Sequence, residues 1–212
     1  MSLTKAHKIK LNPTKSQEMF FKKSCGVARF TYNWGLKKWQ EDYEKGIKNS
    51  AYPLVKYLNS IKKTEFPWMQ EVGKTCGQYA IHNLEKAFKS MWKSGTGYPK
   101  FKKKGKKDSF VSSENSGQFK QSNYKIWIPR LGWVKCCENL RFEGKVNNVV
   151  ITRTADLWFA VVNVTVEDKL IETPTASDNQ TTVGVDMGIK SMLVMSDGTV
   201  FENPRALKSN LK

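Results

Sequence analysis

Beyond a short opening strand, apolar periodicity switches from helical to alternating at Gly95-Thr96-Gly97, and that change limits what the chain can fold into. Before it, apolar residues recur at helical spacing. Thr14 with Gln17 has capping-box form, and Phe20, Val27, Phe30 and Trp34 follow on one helical face down to about Tyr43, where Lys45-Gly46 ends the run. A shorter helix is expected over residues 52–62, closed by Phe66-Pro67. Val72, Cys76, Tyr79 or Ala80, Leu84, Ala87 or Phe88, and Met91 mark the stripe of a third. After the glycines the period becomes two. Ile126 and Ile128 flank Trp127, and residues 146–154 and 157–166 are rich in Val, Ile, Thr and aromatics around a hairpin at Ala155-Asp156. One strand also precedes the helices, residues 5–11, broken by Asn12-Pro13. The reading is α+β.

Charge is sorted along the same division. The 212 residues carry a net charge of +17, with 24 Lys/Arg against 7 Asp/Glu in residues 1–107 and 12 of each in residues 108–212. A surface facing a polyanion is sorted in this way, and nucleic acid is the expected partner. An anionic membrane fits less well, because no segment joins a basic face to a free apolar one. No apolar run reaches the ~20 residues of a membrane span, and no secretory signal follows Met1, so a cytoplasmic protein is expected. Cys25, Cys76, Cys136 and Cys137 form no CxxC pair, and His7 and His82 are distant in sequence; free thiols are expected rather than a metal site.

Residues 183–199, VGVDMGIKSMLVMSDGT, read as strand, loop, strand and tight turn. They place Asp186 at the centre of a sheet, where a metal-dependent nuclease uses a carboxylate. Asp197 belongs to the turn, and nothing requires Glu202 at the site. Residues 172–182, ETPTASDNQTT, form a polar linker before this motif.

Five features in order now resemble one family: Leu11-Asn12-Pro13-Thr14 with Gln17; Arg29 with Tyr32-Asn33; Gly97-Tyr98-Pro99-Lys100-Phe101-Lys102; Ile128-Pro129-Arg130-Leu131-Gly132; and Gly184-Val185-Asp186-Met187-Gly188-Ile189 with Ser196-Asp197-Gly198. Together they resemble the N-terminal part of TnpB, or OrfB, proteins of bacterial insertion sequences, the transposon-encoded relatives of type V CRISPR nucleases. The resemblance implies a helical bundle inserted into a wedge-like β-barrel, followed by the first strands of an RNase H-like (RuvC) domain. Its divisions would be residues 1–12, the first barrel strand; 13–95, a helix-turn-helix-like recognition insertion; 96–172, the basic segment and the rest of the barrel; 173–181, a linker; and 182–212, an incomplete RuvC start. The family's members are RNA-guided DNA endonucleases of bacterial cytoplasm, so guide RNA and double-stranded target DNA are the implied partners. Asp186 would be the inherited catalytic aspartate and a magnesium ligand. The remaining acidic residues and a zinc ribbon with two CxxC pairs are absent from this sequence. Mg2+ is therefore expected only with a complete RuvC site, and this chain is expected to bind rather than cleave unaided.

Binding candidates follow from side-chain chemistry. Residues 98–107, YPKFKKKGKK, hold Lys100, Lys102, Lys103, Lys104, Lys106 and Lys107 around Phe101. Lysines neutralise phosphates without sequence choice, and Tyr98 and Phe101 can stack on unpaired bases. The plainer alternative is a solvated basic loop. Arg29, Tyr32 and Asn33 lie within one helical turn and can present hydrogen-bonding groups to base edges; alternatively Tyr32 packs and the other two are solvated. Phe20, Trp34 and Phe88 are expected in the core. A short DNA- or RNA-binding repressor or modulator of longer relatives is the rival function, and a ribosomal-type scaffold is a third that leaves the Asp186 motif unexplained.

Overall fold

The opening segment forms strand β1 (Ser2–Asn12), longer than the alternation suggested because its neighbour β7 (Leu157–Glu167) pairs with it from Ser2↔Glu167 to Leu11↔Trp158. The computed structural model describes residues 2–113, 119–167 and 183–205. Three α-helices follow β1: α1 (Lys15–Glu44), α2 (Ala51–Ile61) and α3 (Lys74–Ser94), with a 3-10 turn at Pro67–Glu71 before α3. The Phe66-Pro67 stop thus begins a further turn, as Pro at a first helical position permits. Strands β2 (Ser109–Ser113), β3 (Gln121–Ser122), β4 (Lys125–Ile128), β5 (Gly132–Cys136), β6 (Lys145–Thr154) and β7 complete a seven-stranded antiparallel sheet.

The strand order is β2-β6-β7-β1-β5-β4-β3. The first strand is therefore central, and the helices are inserted in sequence between it and the other six strands. The expected barrel does not close among the described residues. Its ends are β2, of five residues, and β3, of two, which are too short to form a ladder across the opening.

The core lies between α1 and one face of the sheet. Ile9, Ile126, Val134, Ile151, Ala160 and Val162 are fully buried there. Phe21 drives α1 onto this face, with its ring 5.0 Å from Trp158 and 5.9 Å from Phe110. Burying such a ring contributes roughly 2–3 kcal/mol. The expected capping box is present: Gln17 N–H donates to Thr14 Oγ1 at 3.3 Å, and Thr14 N–H donates to Gln17 Oε1 at 3.0 Å. The same Gln17 amide donates to the Trp133 carbonyl at 3.0 Å, tying the start of α1 to β5. On its other side α1 packs on α3. Gly35 allows the approach, since a Cβ there would lie 3.2 Å from Leu84. Farther along, Trp39 stacks on the buried Phe88 at 4.7 Å, as expected of Phe88. Phe20 and Trp34 are only partly buried at the margin of this core.

Cys25, Cys76 and Cys136 are buried thiols and Cys137 is exposed. Burial pushes Cys25 up to about 12 and Cys76 to about 11, which makes both unreactive at neutral pH. No described helix is long and apolar enough to cross a membrane.

Contacts divide the chain into two units, Met1–Asp168 and Lys169–Lys212. The expected linker, 173–181, lies outside the described residues. The second unit holds β8 (Val185–Asp186), β9 (Ser191–Met195) and β10 (Val200–Glu202), ordered β10-β9-β8 and antiparallel.

Candidate nucleic-acid interface

The end of α3 delivers the lysine-rich segment. Gly95 takes a left-handed conformation (φ 63°) and its N–H donates to the Met91 carbonyl at 3.0 Å, which closes the helix. The chain then turns back over α1. Tyr98 meets Phe88 edge-on at 5.5 Å, and Pro99 is buried. At Lys102 the backbone is clamped. Its N–H donates to Asn33 Oδ1 at 2.8 Å, and its carbonyl accepts from Asn33 Nδ2 at 3.0 Å. The Lys102 ammonium rests 4.1 Å from the centroid of the Tyr32 ring. Partial desolvation of the ammonium against this ring holds Lys102 below the ordinary lysine value, and burial of the Tyr32 phenol itself raises the pKa of Tyr32. The far end is held by Asp108, whose carboxylate pairs with Arg29 at 3.2 Å and whose carbonyl accepts from Arg153 N–H at 3.0 Å.

Arg29, Tyr32 and Asn33, the three candidates on α1, thus all meet the segment 98–108. The helical turn that puts them on one face also lets them brace that segment from beneath. The groups expected to face bases have partners within the chain: Asn33 spends its amide on Lys102, Arg29 is paired with Asp108, and Tyr32 is 5% exposed. Between the anchors, Lys103 to Lys107 form a turn with Gly105 and Lys107 at positive φ. All six lysines are exposed, and none makes an ion pair among the described residues. Phe101 stands 54% exposed in their midst. A rigid, uncompensated cationic ridge results. Six lysines held together repel one another, and a polyanion relieves that repulsion.

A second basic cluster was not singled out from the sequence. Lys62 and Lys63 at the end of α2, Lys74 at the start of α3 and Arg130 between β4 and β5 line a cleft of about 220 Å³. Arg130, with φ at 67°, donates to the carbonyls of Gln70 and Val72, the latter at 3.0 Å, and so pins the 3-10 turn to the sheet. Partial burial, then the neighbouring Lys63 and Lys74, lower the pKa of Lys62. These cations lie far apart in sequence, which hides the cluster from a linear reading; the Lys62-Lys63 pair was its only local sign.

Asp186 departs from its expected place. It is exposed on β8, opposite Val194, and β8 is the outer strand of three. Among the described residues the centre is β9, which has a partner on each side. Asp197 behaves as a turn residue: its carboxylate accepts from Thr199 N–H at 2.9 Å, which lowers its pKa. No group of three or more His, Cys, Asp or Glu side chains able to hold a cation occurs among the described residues. A magnesium pair needs several carboxylates, so the described donor set does not fit one.

A family model described as a helix-turn-helix domain, that of OrfB from IS605-type elements, matches residues 1–48. In this structure those residues are β1 and α1. InsQ of Escherichia coli K12, named as a candidate RNA-guided DNA endonuclease, is 30% identical over 217 residues, covering 100% of this chain and 52% of that protein. The chain is a TnpB/OrfB-type protein. A similarly named Streptomyces pristinaespiralis protein is 26% identical over 212 residues, with 95% of this chain and 50% of its own length aligned. This TnpB-type chain therefore spans about half the length of the curated relatives it matches. A solved Cas12f1–sgRNA–target DNA complex aligns over 98% of this chain and 59% of that one, at 15% identity and a TM-score of 0.47.

Proposed function

We propose that this chain is the nucleic-acid-binding portion of an RNA-guided DNA endonuclease of an insertion sequence, acting in the bacterial cytoplasm. The observation that carries the reading is the braced ridge of six exposed lysines without acidic partners. Guide RNA is its proposed ligand, because Phe101 and Tyr98 offer ring faces that unpaired bases can use and duplex DNA cannot. Target-flanking duplex is assigned to the Lys62–Lys63–Lys74–Arg130 cleft, where cationic side chains of suitable sign for phosphates line the opening. In this reading the seven-stranded sheet is the wedge, and β8 to β10 begin a RuvC-type domain in which Asp186 is one catalytic carboxylate. Magnesium, when bound to a complete set of carboxylates, would activate water for phosphodiester hydrolysis. The described residues supply no such set, so no step of cleavage is assigned to this chain.

The test is the salt dependence of binding to a structured RNA. Each phosphate neutralised adds roughly 0.7–0.9 to the slope of log affinity against log salt. Replacing Lys102, Lys103 and Lys104 together by alanine should lower that slope by about 2 to 3. An unchanged slope would remove the ridge from the interface.

A further inference from the structure

Three aromatic rings form a ladder from the core to the surface at the end of α3. Trp39 on α1 is 5% exposed, Phe88 is 2% exposed, and Trp92 is 64% exposed. Trp39 and Phe88 stack at 4.7 Å and 20°, and Phe88 and Trp92 at 5.7 Å and 25°. A helix brings residues four apart onto one face, so the 88–92 spacing builds the upper rung. An indole that largest of aromatic areas would normally be tucked away costs hydration when left in water. Here the inner rings hold it in place while most of it remains open.

The surroundings identify an occupant. Tyr98, 48% exposed, packs edge-on against Phe88, the middle rung, and leads directly into the lysine ridge. Lys93 follows Trp92, and Lys100 follows Pro99; neither makes an ion pair among the described residues. An apolar protein partner would have to bring acidic groups for this rim. A single nucleic-acid strand brings both a flat ring and a phosphate at each step. A paired duplex offers phosphates but keeps its base faces covered.

We propose that Trp92 is a stacking platform for an unpaired base of bound RNA, extending the lysine ridge by one base-binding position. The inference rests on the nucleic-acid reading above and adds a position that the sequence alone did not mark. Stacking contributes through ring contact rather than charge, so its loss weakens binding without altering the salt slope.

The experiment uses the whole chain with a fluorescent 12-nucleotide oligouridine and a 12-base-pair RNA duplex. Trp92→Leu keeps an apolar side chain and removes the aromatic face; Trp92→Phe keeps a face. Trp92→Leu should bind oligouridine roughly tenfold more weakly with an unchanged salt slope, Trp92→Phe should lie within about threefold of the parent, and duplex binding should not change. Equal binding of oligouridine by Trp92→Leu and the parent would overturn the inference, as would equal losses on both probes. A 5-iodouridine-labelled strand provides a variant-free measurement: photocross-linking should reach Trp92, and cross-links confined to other aromatics would overturn the proposal. Should the parent chain bind neither probe, the nucleic-acid reading itself falls and this inference with it.

Discussion

Replacing Asn33 by alanine should release the lysine ridge from α1. The side chain makes two hydrogen bonds to the Lys102 backbone, at 2.8 and 3.0 Å, and each contributes about 0.5–1.5 kcal/mol net. The contact of the Lys102 ammonium with Tyr32 contributes about 0.5–1 kcal/mol more and depends on the same clamp. Asn33 is half-buried, so water can satisfy part of what is lost, and the expected destabilisation is about 1–2 kcal/mol by urea unfolding at unchanged slope. Amide exchange at Lys102 is the sharper assay. Its N–H loses its acceptor, and exchange there should accelerate at least tenfold, while amides in the centre of β1 and β7 change only with global stability. Asn33→Asp separates the two bonds: it keeps an acceptor for the N–H but sets a carboxylate against the Lys102 carbonyl. It should protect the amide better than alanine does. Unchanged exchange at Lys102 in Asn33→Ala would refute the clamp and the brace assigned to α1.

Other outcomes follow from the same geometry. Ala155 and Asp156 both take positive φ (47° and 64°) in the two-residue β6–β7 turn, so Ala155→Asn with Asp156→Gly should stabilise the chain by about 1 kcal/mol, read as a higher urea midpoint. In the native state one thiol, Cys137, should react rapidly with a disulfide reagent, and all four should react after unfolding. Stability should decline as pH rises from about 9, where an unfolded Cys25 ionises, towards 12, because the fold holds that thiol protonated; alkaline urea titrations that show no decline would contradict this. Gly35→Leu should cost about 1–3 kcal/mol by forcing α1 away from Leu84.

Much of the fold was legible in the sequence, because local signals and tertiary packing agree. The Thr14–Gln17 capping box, the Phe88 stripe and the Ala155-Asp156 hairpin are each fixed within a few residues, and each stands where expected. The openness of the sheet was not legible. Closure depends on whether β2 and β3 meet, and strands of five and two residues carry almost no pattern. Asp186 shows the same limit: the apolar run marked a strand, but its position in the sheet depends on partners distant in sequence. Arg29, Tyr32 and Asn33 stood out by residue type and by their place on one helical turn. That Arg29, Tyr32 and Asn33 meet the lysine ridge depends on how α3 returns the chain across α1, which no local spacing encodes. The Lys62–Lys74–Arg130 cleft was hidden for the same reason.

In the proposed function a polyanion lies across the ridge between Tyr98 and Asp108. Lysine-reactive footprinting by mass spectrometry, with and without structured RNA at low ionic strength, measures this residue by residue. Lys100, Lys103, Lys104, Lys106 and Lys107 should become protected, while Lys145 at the start of β6 should keep its reactivity. Uniform protection across the chain, or none on the ridge, would contradict it.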